Sequence, residues 1–172
     1  MLTKTQTIIF SQFTSLLDLL EVPIDRAGIP YERYDGSMSA SHRGEAITRF
    51  KTSRHSKVML ISLKAGNAGL NLTVASQVII LDPFWNPFIE EQAIDRAHRI
   101  GQQRNVHVHR ILVEGTVEDR IIQLQEKKRE MINTALDENE ARKIARLGVR
   151  ELAYLFGVTR DPSQNVPGVQ MD

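Results

Sequence analysis

Cysteine is missing from all 172 residues. Its absence excludes disulfides and thiolate metal sites, and it fits a reducing compartment. No run of about 18 apolar residues occurs, so no helix is expected to cross a membrane. The opening MLTKTQTIIF lacks the charged, then apolar, then small pattern of a cleaved signal. No glycine is followed by lysine and then serine or threonine. A P-loop is therefore absent, and this chain is not expected to cradle a nucleotide's phosphates by itself. Charge of one sign is also scarce: Lys and Arg number 22 against 21 Asp and Glu. Any surface that tracks phosphates must then be local.

What is present suits a globular chain, 41% hydrophobic and 25% charged, long enough for one domain with an appended element. TIIF (7–10) reads as a short buried strand, followed by a helix with Phe13, Leu16, Leu17 and Leu20 on its apolar face. Ser11 is a candidate N-cap, and Pro23 is expected to end or kink that helix before Gly28. A strand over Tyr31–Tyr34 leads to a turn at Gly36, a cap at Ser39 or Ser41, and a helix facing a core with Ala46, Ile47 and Phe50. Val58–Leu63 and Gln77–Leu81 are solidly apolar, as in strands covered on both faces. Val106–Val113 is a further strand, and Thr116 with Asp119 suggests a capping box. A long helix with Val117, Ile121, Leu124 and Met131 on one side is expected to reach about Asp137. A shorter apolar-periodic segment covers Ala141–Phe156, and an untethered tail ends the chain. Alternating strands and helices indicate an α/β fold with a mostly parallel sheet, whose ligands gather at strand carboxyl ends. The loops after Phe10, Leu63 and Asp82 lie at such ends.

The stretch EEQAIDRAHRIGQQR, Glu90 to Arg104, contains nothing that breaks a helix before Gly101, and Pro87 marks a start. At about 100° per residue, Ile89, Ala93, Ala97 and Ile100 form one apolar stripe. Gln92, Arg96 and Arg99 form a second beside it. A helix docked by the first stripe holds two guanidiniums and an amide at the edge of the buried surface. Guanidinium matches phosphate oxygens two at a time, and nucleotide hydrolases use such arginines as fingers on the transferring phosphoryl group. A solvated basic face, with Arg96 paired to Asp95 or Glu91, has the same spacing.

In SLKAGNAGLNL (Ser62 to Leu72), Gly66 and Gly69 let backbone amides approach a phosphate or sugar, and Lys64 adds charge. An ordinary strand-to-helix turn is the plain alternative. Asp82 ends an apolar strand as a magnesium ligand does, but without a P-loop no metal role is assigned. His107 and His109 lack a third ligand at a telling distance. DPFWNP presents Trp85 between two prolines, either as an exposed aromatic that stacks on nucleic acid or as a ring packed on its own loop.

Read in order, Gln92 to Gln102 carries Q-A-x-D-R-x-H-R-x-G-Q. This closely resembles the last signature motif of helicase-related ATPases, in the form carried by Swi/Snf-like DNA translocases. SLKAGNAGLNL is similar to that family's motif contacting nucleotide and DNA, and FSQF and YDGSMSASHR resemble further signatures. Asn67-Ala68 departs from the glycine and valine often found there. The resemblance covers roughly Thr7 to Arg129. The combination of LKAGNAGLNL, DPFWNP, HRIGQ and ELAYLFG looks closest to the subgroup with a RING finger between its lobes, which includes repair translocases and a SUMO-targeted ubiquitin ligase.

The resemblance implies a RecA-like three-layer sandwich over 1–115, the second lobe of a two-lobed ATPase. It further implies brace-like helices over 116–160 and a flexible tail over 161–172. ATP with Mg would sit between this lobe and a first lobe carrying the P-loop, and this chain alone would be inactive. Arg96 and Arg99 would be catalytic; Gln92, Gly66 and Gly69 would line the nucleotide side. Ser11, Gln12, Gly36, Ser37, Arg43, Ser62, Lys64 and Trp85 would face DNA, since hydroxyls, amides and helix N-termini serve phosphate well. The implied partners are the first lobe, duplex DNA up to nucleosomes, and ubiquitin or SUMO machinery reached through regions outside this chain. The implied location is the nucleus, with no membrane contact. A non-catalytic module that keeps the lobe shape and only docks DNA or protein is the rival reading.

Overall fold

The computed structural model describes residues 5–53, 55–65, 69–134 and 146–163. Its strands are β1 (Gln6–Ser11), β2 (Tyr31–Tyr34), β3 (Val58–Ser62), β4 (Ala75–Ile80) and β5 (His107–Arg110). They form one sheet in the order β2-β3-β1-β4-β5, with every pairing parallel. Gly66 and the Asn67-Ala68 departure lie outside the described residues, as do 135–145 and 164–172.

Alternation along the strands assigns the two faces. Ile9, Leu60 and Ile79 lie in register and pack with Leu17 and Ile24 of helix α1 (Thr14–Arg26). The opposite face carries Ile8, Met59 and Val78, then Phe10, Ile61 and Ile80, all fully buried. Gln6, on that second face, donates to the carbonyl of Phe50 at 2.6 Å, and so locates helix α2 (Ala40–Thr52) there. Arg110, in register with Ile80, bonds Glu90 of helix α3 (Pro87–Ile94) at 3.0 Å. Glu90 is fully buried, so this ion pair fixes α3 on the same face as α2. The result is a three-layer α/β arrangement.

Several local expectations give way to competing contacts. Pro23 lies inside α1 rather than ending it. The carbonyl to which Pro23 cannot donate belongs to Leu19, a residue that is 70% exposed. The N-cap of α1 is Phe13, without a side-chain cap; the Ser11 hydroxyl accepts from Phe13 N at 3.0 Å instead. Ser39 does cap α2, accepting from His42 N.

The chain forms two compact units: Met1–Asp82 with Ile89–Ile111, and Pro83–Phe88 with Leu112–Asp172. The second holds helices α4 (Val117–Asn133) and α5 (Val149–Leu155). Thr116 caps α4 through Glu118 N, and Asp119 accepts from Gly115 N at 2.7 Å. The core of this unit is Leu124, Tyr154 and Leu155, with Ile121, Leu147 and Trp85 packed against it. Val117 and Met131, expected on the buried side of α4, are exposed; Gln125 and Lys128 are buried there instead.

Candidate nucleotide and nucleic-acid site

Because all five strands run the same way, the loops after β1, β2, β3 and β4 emerge at one edge of the sheet. Ser11 and Ser62 are paired in register at its rim. Ser11 is fully buried, with its hydroxyl engaged by Phe13 and its carbonyl accepting from Leu63 N at 2.9 Å. Ser62 is 4% exposed, and its carbonyl accepts from Ala65 N. Neither serine has an exposed side chain to offer DNA, contrary to expectation; both root the loops that follow their strands. Gln12 donates from its backbone N to Asp82 at 2.9 Å, which joins the β1 and β4 loops. Lys64 projects into solvent at the same rim.

Beyond β2, Asp35 organises the neighbouring turn. Its carboxylate accepts from Ser37 N at 2.8 Å, Ser37 Oγ at 2.6 Å and Arg33 Nε at 2.8 Å. Burial alone would push this carboxyl up; the bonds from Ser37 and Arg33 outweigh it and hold it below the ordinary carboxylate value. Arg33 also bonds Asp18 and Glu21 of α1, so the turn bearing Gly36 and Ser37 is braced by an ion-pair cluster. Arg43, in the first turn of α2, lies with its guanidinium 5.8 Å from the centroid of Tyr34. Gly36 and Ser37 are exposed beside it.

The arginines lie elsewhere. Helix α3 ends at Ile94 rather than continuing to Gly101. After Asp95 the backbone tightens, with Arg96 N donating to Ala93 O and Ala97 N to Ile94 O. Outside donors compete for the carbonyls that a longer helix would need. Leu72 N takes Arg96 O at 2.8 Å, and the Gln102 amide takes Ala97 O at 3.1 Å and Ala75 O at 2.7 Å. Arg104 donates to Val74 O, and Gly101 reverses the chain at φ 103. Ala75 opens β4, so this pinned turn sits at the amino end of that strand, away from the loop rim.

Within the turn, Ala93 and Ala97 are buried as expected, whereas Ile100 is 99% exposed. The apolar stripe stops where the helix stops. Arg96 is half-buried, and among the described residues its Nε is buried without a hydrogen-bond partner. Arg99 and Gln92 are exposed. A hollow of about 790 Å³ is bounded by His98, Arg99, Ile100, Gln102 and Arg104, among others. Gly69, at φ 40, stands three residues before Leu72 and so enters the segment that holds Arg96. The donor set suits a polyphosphate: an unsatisfied buried guanidinium nitrogen and an exposed arginine on a held backbone.

Trp85, which the sequence left open between an exposed aromatic and a ring packed on its own loop, is half-buried in the second unit. Its ring lies 5.4 Å from Phe84 and 5.3 Å from the Lys128 ammonium. Among the described residues, no group of three or more His, Cys, Asp or Glu could hold a metal ion.

The sequence matches the helicase conserved C-terminal domain family over residues 1–101. The chain belongs to that family. It is 54% identical over 154 residues to the helicase-like transcription factor CHR27 of Arabidopsis thaliana, covering 89% of this chain and 15% of that protein. With ATP-dependent helicase ULS1 of Saccharomyces cerevisiae it shares 47% over 152 residues, covering 88% and 9%. The crystal structure of the C-terminal part of the Fun30 ATPase domain superposes with a TM-score of 0.68 at 36% identity, covering 70% of this chain and 39% of that one. The relatives are Swi/Snf-like ATP-dependent helicases, and the fold of this helicase lobe is RecA-like. The chain spans well under a fifth of the length of these two curated relatives.

Sequence reasoning missed several residues that shape the helicase lobe. Gln102 closed the signature but was given no role, yet its side chain takes a carbonyl that a longer helix would need. Arg33 was given no role, Asp35 lay unassigned within YDGSMSASHR, and Lys128 sits in EKKRE, whose other charges give no sign that one is buried. Asp82 was set aside as a metal ligand; its position accepting Gln12 N accounts for a carboxylate at that strand end.

Proposed function

We propose that this lobe is the second half of a DNA-dependent ATPase that translocates on duplex DNA in the nucleus. ATP would be held by a first lobe bearing the P-loop, with Arg96 and Arg99 completing the phosphate environment and Gln92, Gly66 and Gly69 beside them. Magnesium would be held by the phosphates and the first lobe. ATP supplies a phosphoanhydride whose developing negative charge the guanidiniums stabilise; this chain's part is to aim them. The observation that carries the reading is the unpartnered, buried Nε of Arg96 on a backbone pinned by Leu72. Free energy spent on an unmet donor is recovered when an anion arrives.

Gln12, Gly36, Ser37, Arg43 and Lys64 would grip the DNA backbone from the opposite rim, with Ser11 and Ser62 holding their loops. Trp85 would add the part of its ring that packing leaves open. With a net charge of +1 the isolated lobe should bind duplex weakly and in a salt-sensitive way. Nucleosomes and ubiquitin or SUMO machinery would be engaged through the full-length protein.

The test compares the isolated chain with the full-length protein. The chain alone should show no DNA-stimulated ATP hydrolysis, and the full-length protein should show it. Arg99→Ala should remove it, whereas Arg150→Ala, an exposed arginine on α5, should not. Equal losses from both substitutions, or turnover by the isolated chain, would overturn the two-lobe reading.

A further inference from the structure

We infer that Glu90 and Arg110 are positioning residues for the arginine turn: their ion pair fixes the rotation of α3 on the sheet, and so fixes where Arg96 and Arg99 point. This rests on the reading of those two arginines given above. Along α3 only Pro87, Glu90 and Ala93 are buried, while Ile89 and Ile94 are half-buried. A proline ring at the helix start and one methyl group give the helix little apolar shape by which to hold its angle. Glu90 supplies a directional contact instead. It is fully buried, and its carboxylate accepts from Arg110 Nε at 3.0 Å. Arg110 stands on β5 in register with the fully buried Ile80, so the guanidinium is carried on the sheet itself.

Stability alone does not account for this pair. Desolvating a carboxylate is expensive, and a buried ion pair often holds a fold no better than apolar side chains of similar volume. The helix dipole favours an acid in the first turn, but it favours an exposed one as well. What the pair adds is angle, since a hydrogen bond is directional and an alanine contact is not. Beyond Ile94 the chain is held by bonds from Leu72 N and the Gln102 amide. Glu90 is the matching hold, six residues before Arg96. A side chain rides about 5 Å from a helix axis, so a rotation of about 10° carries it about 1 Å. An error of that size between reacting groups costs about 100-fold in rate.

The experiment uses the full-length protein with ATP and saturating duplex DNA. Arg110→Lys keeps the charge but loses the fixed direction of the guanidinium. It should lower kcat by about 10- to 100-fold and leave the KM for ATP within about 2-fold, as expected for a contact perfected only in the transition state. Replacing both partners, Glu90→Met with Arg110→Met, separates position from stability. The apolar pair should melt at or above the temperature of the unaltered protein, yet keep the low kcat. Recovery of both would make the ion pair a packing feature and overturn the inference, as would an unaltered kcat in Arg110→Lys. A positioning residue that acts through the arginines should not lower turnover further in an Arg99→Ala background; multiplied losses would overturn that route. Arg99→Ala also separates the two ideas. If it sharply lowers turnover and Arg110→Lys does not, only the positioning role fails. If Arg99→Ala turns over at the unaltered rate, the finger reading fails and this inference falls with it.

Discussion

Arg96 separates a finger from a structural arginine because the two roles predict opposite signs. Its Nε is buried with no hydrogen-bond partner among the described residues. A buried donor without a partner costs about 1–3 kcal/mol. Replacement by glutamine or alanine removes that cost, while Leu72 N still bonds residue 96 through the main-chain carbonyl. The fold should therefore hold its stability or gain up to about that amount, less the packing of the arginine stem. For a chain of this size each kcal/mol moves the melting temperature by about 2–4 °C, so the shift should be flat or upward. Turnover should move the other way. Loss of a positioned charge partner for a transition state costs about 2.7–4 kcal/mol, or roughly 10²–10³ in kcat. Arg96→Lys should restore little, because a point charge lacks the paired donors. The assays are thermal denaturation of the chain and steady-state ATP hydrolysis by the full-length protein at saturating DNA. A drop of several degrees with unchanged kcat would show Arg96 to be a packing residue and refute the reasoning. Arg104 makes a poor control here, since it donates to Val74 O.

The remaining predictions concern stability. Asp35 has a folded-state pKa below its ordinary value, so its contribution is present above about pH 4 and lost as pH falls through the lowered pKa; Asp35→Asn should shrink the difference in urea midpoint between about pH 6 and pH 3, and an unchanged difference would remove Asp35 from the acid response. Lys128 is buried, and its ammonium bonds Arg146 O at 2.6 Å and Glu151 at 3.1 Å below the Trp85 ring; Lys128→Met keeps the stem but should destabilise the second unit by about 2–4 kcal/mol, read as faster amide exchange across 149–158. Gly157 has φ 77, and a Cβ there would meet Arg120 Nη1 at 2.5 Å, the atom that bonds Tyr154 O. Gly157→Ala should cost about 1–2 kcal/mol from the left-handed backbone alone, even if Arg120 moves aside, and a neutral result in thermal denaturation would refute that strain.

Legibility in the sequence followed the range of the forces involved. Solid apolar runs located β3 and β4 to within two residues, because burial on both faces leaves no polar position to blur them. The strand Tyr31–Tyr34 was read to the residue. The arginine helix was overextended, because periodicity counts only what a helix offers its own face. It cannot register that Leu72 N and the Gln102 amide, 24 residues before and five residues after the carbonyls they take, end the ladder at Ile94. Ile100 was misplaced for the same reason. Ser11 and Ser62 were recognised as important but not as buried, since a hydroxyl at a strand end reads alike whether it faces a ligand or a neighbouring amide. Buried Lys128 and Glu90 were invisible, because a charge leaves the solvent only when a distant partner meets it.

The two sets of candidate residues occupy opposite ends of the same strands, and that separation constrains how they communicate. β4 has six residues, or about 17 Å of extended chain. Its amino end is tied to the arginine turn through Ala75 O and Gln102, and its carboxyl end to the end of β1 through Leu81 N and Phe10 O. Between them lie Val78 and Ile80, fully buried against the in-register Ile8 and Phe10. A close-packed parallel sheet of this kind resists internal shear, since its three inner strands, β3, β1 and β4, are each bonded on both sides. On the proposed reading, an anion arriving at Arg96 and Arg99 would therefore not be relayed by rearrangement inside the sheet. The lobe would turn as a body toward the nucleotide, and the DNA-facing rim, fixed to the far end of the same strands, would sweep with it.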